Sequence, residues 1–130
     1  MEIPVVKPGS GKTPFLTSFR YAWRGIRAAY RTGFNIRVQT AVAVLVVVLG
    51  LALRLDAAEW CAVLICCGLV IGAECINSAI EDAVDLAEPR INPLAERAKD
   101  MAAGAVSVFS IMSVAVGCIV FLPRILAVLG

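Results

Sequence analysis

The chain has 130 residues, of which 60% are hydrophobic and 17% charged; its formal net charge is +2 and it contains no histidine. Soluble domains average about 45–50% apolar and about 25% charged residues, so both an ordinary soluble domain and a disordered chain are excluded. The missing histidine also excludes Ser-His-Asp triads, histidine zinc sites and histidine general bases.

Residues 1–14 carry Pro4, Pro8 and Pro14 and read as an irregular, flexible tail. Within it, Gly9-Ser10-Gly11-Lys12-Thr13 looks like the end of a phosphate-binding loop. That motif needs a glycine five positions before Gly11, where Val6 stands, and Pro14 follows at once. A Gly-Ser tail is the better reading. No short apolar core with a small-residue cleavage site follows the basic start, so no removable secretory signal is expected.

Residues 15–32 are predicted to form a helix. Phe15, Phe19, Ala22, Trp23, Ile26 and Tyr30 recur at helical spacing, and Arg20, Arg24, Arg27 and Arg31 form a second stripe rotated from the first. A basic amphipathic helix with aromatic residues on its apolar side lies in a membrane interface. Lys7, Lys12, these arginines and Arg37 all precede the first long apolar run. Beside such a run they read as a topology signal and a lipid-headgroup contact, not as a nucleic-acid surface.

Three membrane spans follow, at about residues 35–54, 59–86 and 94–122. A short turn joins the first two. Glu88-Pro89-Arg90-Ile91-Asn92-Pro93 forms a loop before the third, and Pro123 is expected to end that last helix. The fold class expected is an all-α membrane protein: a surface helix and three spans in one domain covering residues 15–130. Lys and Arg concentrate before the first span and, as Arg90, Arg97 and Lys99, around the second loop. The N-terminus and that loop are therefore expected in the cytoplasm. Cys61, Cys66, Cys67, Cys75 and Cys118 have no ligand spacing and read as small apolar packing residues.

Glu74, Asn77, Ser78, Glu81 and Asp85 all lie within about 60° of Glu74 around a helix. This stripe enters an otherwise apolar span. A carboxylate at membrane depth costs roughly 2.5 kcal/mol or more, so such groups usually mark function. Glu74 is the deepest and suits a general base. Glu81 and Asp85 lie nearer the cytosol, where hard oxygen ligands could hold Mg²⁺ with phosphate oxygens. Lys99 could grip phosphate, and Asp100 could orient it or a metal. Ala103, Gly104, Ser107, Ser110, Ser113 and Gly117 supply a small-residue face for helix packing. A site built on three spans calls for walls from neighbouring chains, which makes a homo-oligomer the default expectation.

The run Glu74-Cys-Ile-Asn77-Ser78-Ala-Ile-Glu81-Asp-Ala-Val-Asp85, followed by Ala98-Lys99-Asp100, resembles the prokaryotic diacylglycerol kinase family, which includes undecaprenol kinases. The likeness covers about residues 15–123. It implies a homotrimer with composite sites, in the inner (cytoplasmic) membrane of a bacterium. It also implies transfer of the γ-phosphate of ATP, with Mg²⁺, to a lipid hydroxyl at the cytoplasmic face. By position, Glu74 would be the catalytic base, Glu81 a metal ligand and Asn77 their support. Tyr21, Glu81, Lys99 and Asp100 would contact nucleotide, and Arg90, Ile91 and Asn92 would line its pocket.

Two positions depart from the family pattern. A second metal-binding Glu is expected where Gly33 stands, and the usual histidine of the second loop is Asn92. Gly33 opens a second reading, a weak or inactive relative that binds lipid or nucleotide as a membrane subunit. A third, unrelated reading is a small transporter or channel with an acidic stripe.

Overall fold

A computed structural model describes residues 15–130. The tail at 1–14, with its Gly9–Thr13 stretch, lies outside the described residues. Four helices follow one another: α1 (Phe15–Thr32), α2 (Phe34–Ala52), α3 (Ala57–Ala87) and α4 (Pro93–Leu129). Among the described residues there is no strand. α2, α3 and α4 are each long and apolar enough to cross a membrane.

In α1 the two stripes separate as the sequence predicts. Phe15, Phe19 and Trp23 are exposed, and the Phe15 and Phe19 rings meet edge to face at 5.0 Å. The chain then turns sharply. Gly33 donates its N–H to Ala29 O at 2.8 Å and starts α2 from an extended conformation. A Cβ at Gly33 would lie 2.8 Å from Ala29 O and 3.2 Å from Ile36 Cγ2, so the junction is as close as it is because the residue is glycine. Arg37 of α2 reaches back to the last carbonyls of α1, donating Nε to Tyr30 O (3.0 Å) and Nη2 to Arg31 O (3.1 Å). Those carbonyls have no partner within their own helix, and a cation suits that end of the dipole. The Tyr30 hydroxyl hydrogen-bonds Thr40 Oγ1, and Ile36 is fully buried.

The opposite end is locked by ions and packing. Asp56 caps α3, accepting from the Ala58 and Glu59 N–H groups, while the Glu59 carboxylate accepts from the Asp56 N–H. This reciprocal arrangement satisfies donors that a helix start leaves open. Arg124 of α4 donates to both Glu59 oxygens (3.2 and 2.6 Å) and to Arg54 O (3.0 Å). Beneath it Leu55, Val63, Val120 and Phe121 form the buried apolar cluster, with Trp60 and Ile125 against it.

Helix α4 does not stop at Pro123: it runs through to Leu129. A proline forfeits one backbone hydrogen bond, and membrane helices tolerate that loss when neighbouring groups hold the segment. Here the next residue, Arg124, is pinned to the α2–α3 turn.

Helix lengths place the polar end. At about 1.5 Å per residue, the 19 residues of α2 span roughly 28 Å, about one hydrocarbon thickness. The 31 residues of α3 span roughly 46 Å. The α2–α3 turn and Arg124 tie one end together, so the excess of α3 and of α4 emerges at the other. That end carries Glu81, Asp85, the 88–92 loop and Lys99.

Candidate functional site

Glu74 is one of two buried polar side chains among the described residues, 4% exposed; Asn77 is the other, at 6%. Glu74 sits 18 residues along α3 from Asp56, roughly 27 Å by helix rise. It is buried in protein, about one α2 length from the locked turn, towards the end where α3 and α4 outrun α2. Gln39 of α2 holds it, donating Nε2 to Glu74 Oε2 at 3.3 Å. One turn further, Asn77 donates Nδ2 to Glu81 Oε1 at 3.0 Å. The result is a polar string, Gln39–Glu74 and Asn77–Glu81, running from depth towards water. Glu81 is exposed and Ser78 half-buried beside it.

Two acceptors in this string lack donors. Gln39 Oε1 and Asn77 Oδ1 are buried and make no hydrogen bond among the described residues. An unpaired buried carbonyl costs about 1–3 kcal/mol, and native proteins retain few. Both lie next to the carboxylates that the sequence marks as chemical. Gln39 escaped sequence reading, which dwelt on charge. Its signal was a long amide in a run from Val38 to Leu53 that is otherwise almost wholly apolar.

Lys99 of α4 forms an ion pair with Asp85 of α3. They face a depression of about 440 Å³ bounded by Glu88, Arg90, Ile91, Asn92, Ala95 and Glu96. The structure thus brings Arg90, Ile91, Asn92 and Lys99 together. It does not bring Tyr21, Glu81 or Asp100 into that depression, and within this single chain Tyr21 and Asp100 are exposed. Asn92 has a structural duty as well: its Oδ1 caps α4, accepting from Leu94 N at 2.9 Å, with Pro93 at the first helical position. Arg90 donates Nε to Glu88 Oε1 at 3.0 Å. That bond, reinforced by the Arg90 N–H and by Asn92, holds the Glu88 carboxyl below its ordinary range.

An apolar groove of about 300 Å³ lies between α2, α3 and α4. Gln39 is its polar residue on α2, and Ser110, Ser113 and Gly117 face it from α4. The small-residue face is not used for close packing within the chain: a Cβ at Gly104 or Gly117 would meet nothing within 4 Å.

A model of the prokaryotic diacylglycerol kinases matches residues 20–121. The chain belongs to this family. It is 40% identical over 111 residues to the undecaprenol kinase of Bacillus subtilis, covering 85% of this chain and 90% of that one. To the diacylglycerol kinase of Synechocystis it is 36% identical over 138 aligned positions, covering 98% and 79%. To that of Escherichia coli K12 it is 34% identical over 110 residues, covering 85% and 90%.

A kinase family implies ATP as phosphate donor and raises the question of Mg²⁺. Among the described residues no three Asp, Glu or Cys side chains converge as a metal cluster. Mg²⁺ does not require one, since it keeps several waters and takes one or two carboxylates beside phosphate oxygens. Glu81, exposed and oriented by the buried Asn77, fits that limited demand.

Proposed function

We propose that the protein is an ATP-dependent lipid kinase that transfers the γ-phosphoryl group to the hydroxyl of undecaprenol or diacylglycerol at the cytoplasmic membrane face. One observation carries this reading: a carboxylate, Glu74, buried in protein and oriented by a neighbouring helix, roughly 27 Å along α3 from the locked turn. With the locked turn at one surface of a hydrocarbon core of about 30 Å, that distance brings Glu74 towards the opposite headgroups, where a lipid hydroxyl resides. The excess of Lys and Arg on the same side supports a cytoplasmic N-terminus and loop. The outward faces of the spans, apolar and uncovered by the chain itself, support embedding in a bacterial inner membrane, and the small-residue face of α4, left open within the chain, supports packing against further copies as a homotrimer.

In this mechanism Glu74 accepts the proton of the lipid hydroxyl as its oxygen bonds to the γ-phosphorus. The bond from that phosphorus to the β–γ bridging oxygen breaks, and ADP leaves. Gln39 fixes the Glu74 carboxylate, so the base is positioned before substrate arrives. Lys99 leaves Asp85 to meet phosphate, and the 88–92 loop, Tyr21 and Asp100 contact the nucleotide. Glu81 would hold Mg²⁺ with water and phosphate oxygens, and the ion would neutralise charge on the transferring group. Ser78 and Asp85 support the stripe.

Gly33 favours a second reading, a weak or inactive relative, because the family's second metal-binding carboxylate is absent there. Phosphotransfer in mixed micelles separates the two. Labelled ATP and Mg²⁺ are supplied with both lipids side by side. The kinase reading expects a phosphorylated lipid, with kcat reduced about 10²–10⁴-fold by Glu74→Gln and nucleotide binding retained. Absence of product with either lipid over a wide Mg²⁺ range would leave the inactive relative.

A further inference from the structure

In the proposed reaction each turnover leaves one proton on Glu74. The lipid hydroxyl gives up its hydrogen as its oxygen bonds to phosphorus. The phosphate monoester formed is mostly dianionic above neutral pH, its second ionisation lying near about 6. The proton must therefore reach bulk water before the base can act again. Glu74 is 4% exposed and cannot hand it over directly.

The neighbours of Glu74 narrow the way out. Side chains three and four residues away on a helix lie beside it. On one side these are Val70 and Ile71, which line the apolar groove; on the other they are Asn77 and Ser78. Gln39 and Asn77 are amides, donating to Glu74 and Glu81 respectively. An amide donates and accepts at separate atoms, whereas a hydroxyl does both at one oxygen and passes a proton on as it receives one. Helix α4 adds one hydroxyl at this level. The Lys99–Asp85 pair sets the register: eleven residues before Asp85 is Glu74, and eleven after Lys99 is Ser110. Ser110 lines the apolar groove, which offers a proton no aqueous route.

Ser78 stands between base and water. It is four residues from the buried Glu74, three from the exposed Glu81, and itself half-buried. Its hydroxyl is uncommitted. Thr32, Thr40, Ser107 and Ser113 each donate to the carbonyl four residues back, as hydroxyls inside helices commonly do, while Ser78 makes no hydrogen bond among the described residues. Rotation to another staggered position, or one bridging water, joins it to the Glu74 carboxyl.

We propose that Ser78 is the proton relay that empties Glu74 between turnovers. Protonated Glu74 gives its O–H hydrogen to Ser78 Oγ as Ser78 passes its own hydroxyl hydrogen to water at the Glu81 end. One proton leaves Glu74, one enters water, and rotation of the hydroxyl restores the start. The relay rests on the kinase reading and adds to it the step that regenerates the base.

The test is rapid-quench phosphotransfer by the full chain in mixed micelles at roughly pH 8, above the second ionisation of the product, with saturating MgATP and lipid. Ser78→Ala should complete its first turnover at the wild-type rate, since Glu74 starts ionised, and then slow about 10²-fold. Imidazole, small enough to carry the proton instead, should lift that slow phase and leave the wild type unchanged. The KM for ATP and the Mg²⁺ requirement should not move. Ser78→Thr and Ser78→Val repeat the contrast at matched volume: threonine should restore most of the steady rate, and valine should show the burst. A first turnover as slow as the later ones, or a slow phase that imidazole does not lift, would overturn the relay in favour of a structural role. An unchanged steady rate in both Ser78→Ala and Ser78→Val would overturn it in favour of the product phosphate carrying the proton away. The burst and rescue in Ser110→Ala instead would move the path to α4 and overturn the assignment to Ser78. Absence of product from the wild type, first turnover included, would refute the kinase reading and the relay with it.

Discussion

Replacing Asn77 with leucine separates a chemical role from a structural one. Asn77 is 6% exposed, donates to Glu81 at 3.0 Å, and leaves its own Oδ1 buried without a donor. The bond to an exposed carboxylate is weakened by solvent screening to about 1 kcal/mol, below the range for buried charged partners. Removing the unpaired oxygen relieves a penalty of about 1–3 kcal/mol. Leucine has similar volume, so no large cavity opens. Asn77→Leu should therefore fold with unchanged or raised stability, by about 0–2 kcal/mol. On the proposed Mg²⁺-holding role of Glu81, activity should fall about 10–100-fold, the usual loss when the partner that orients a metal ligand is removed, and the Mg²⁺ requirement should rise. The assays are thermal unfolding in micelles and phosphotransfer across a Mg²⁺ series. A destabilisation beyond about 2 kcal/mol would show that the amide holds the fold together. Full activity at low Mg²⁺ would show that Glu81 needs no orientation by Asn77.

Three further outcomes are expected. Gly33→Ala should cost about 1–3 kcal/mol, since its Cβ would press on Ala29 O at 2.8 Å; against that background, Gly33→Glu should bind Mg²⁺ more tightly than Gly33→Ala, and equal Mg²⁺ titrations would mean the carboxylate is not a ligand. Arg124→Gln should lower stability by about 2 kcal/mol, several degrees in Tm, because Glu59 and the Arg54 carbonyl lose a shared donor; lipid phosphorylation below the new Tm should be unchanged, and a loss of rate there would tie the two ends of the bundle together. The Glu88 carboxyl is held below its ordinary 4.5 by Arg90, so its contribution is fully present above pH 4.5 and lost as pH falls through the lower folded value; in Arg90→Ala a carboxyl NMR titration should move back up, and an unmoved titration would remove Arg90 as the cause.

The candidate site residues were legible because they violate their surroundings. Glu74 and Asn77 interrupt an apolar run at helical spacing, and burial of a carboxylate in such a run needs a reason. Gln39 was harder to see, since an uncharged amide near a helix start is common; only the crossing of α2 over α3 gives it a carboxylate to hold. Pro123 misled for the converse reason. As a local signal it ends helices, but its effect was overridden by contacts seventy residues away in sequence, where Arg124 meets Arg54.

Sequence alone determined the membrane class, the helix order, the basic surface helix and the acidic stripe, because these follow from hydropathy and from periods of 3.6 residues that any context must respect. The tertiary structure decided what each polar group meets. It paired Gln39 with Glu74 and Asn77 with Glu81, gathered Arg90, Ile91, Asn92 and Lys99 around one depression, and left Tyr21 and Asp100 apart from it in the single chain. Periodicity fixes the direction of a side chain around its own helix. The partner it finds depends on which helix crosses there, at what depth and in what register, and those quantities are set by packing and by the locked turn at the far end.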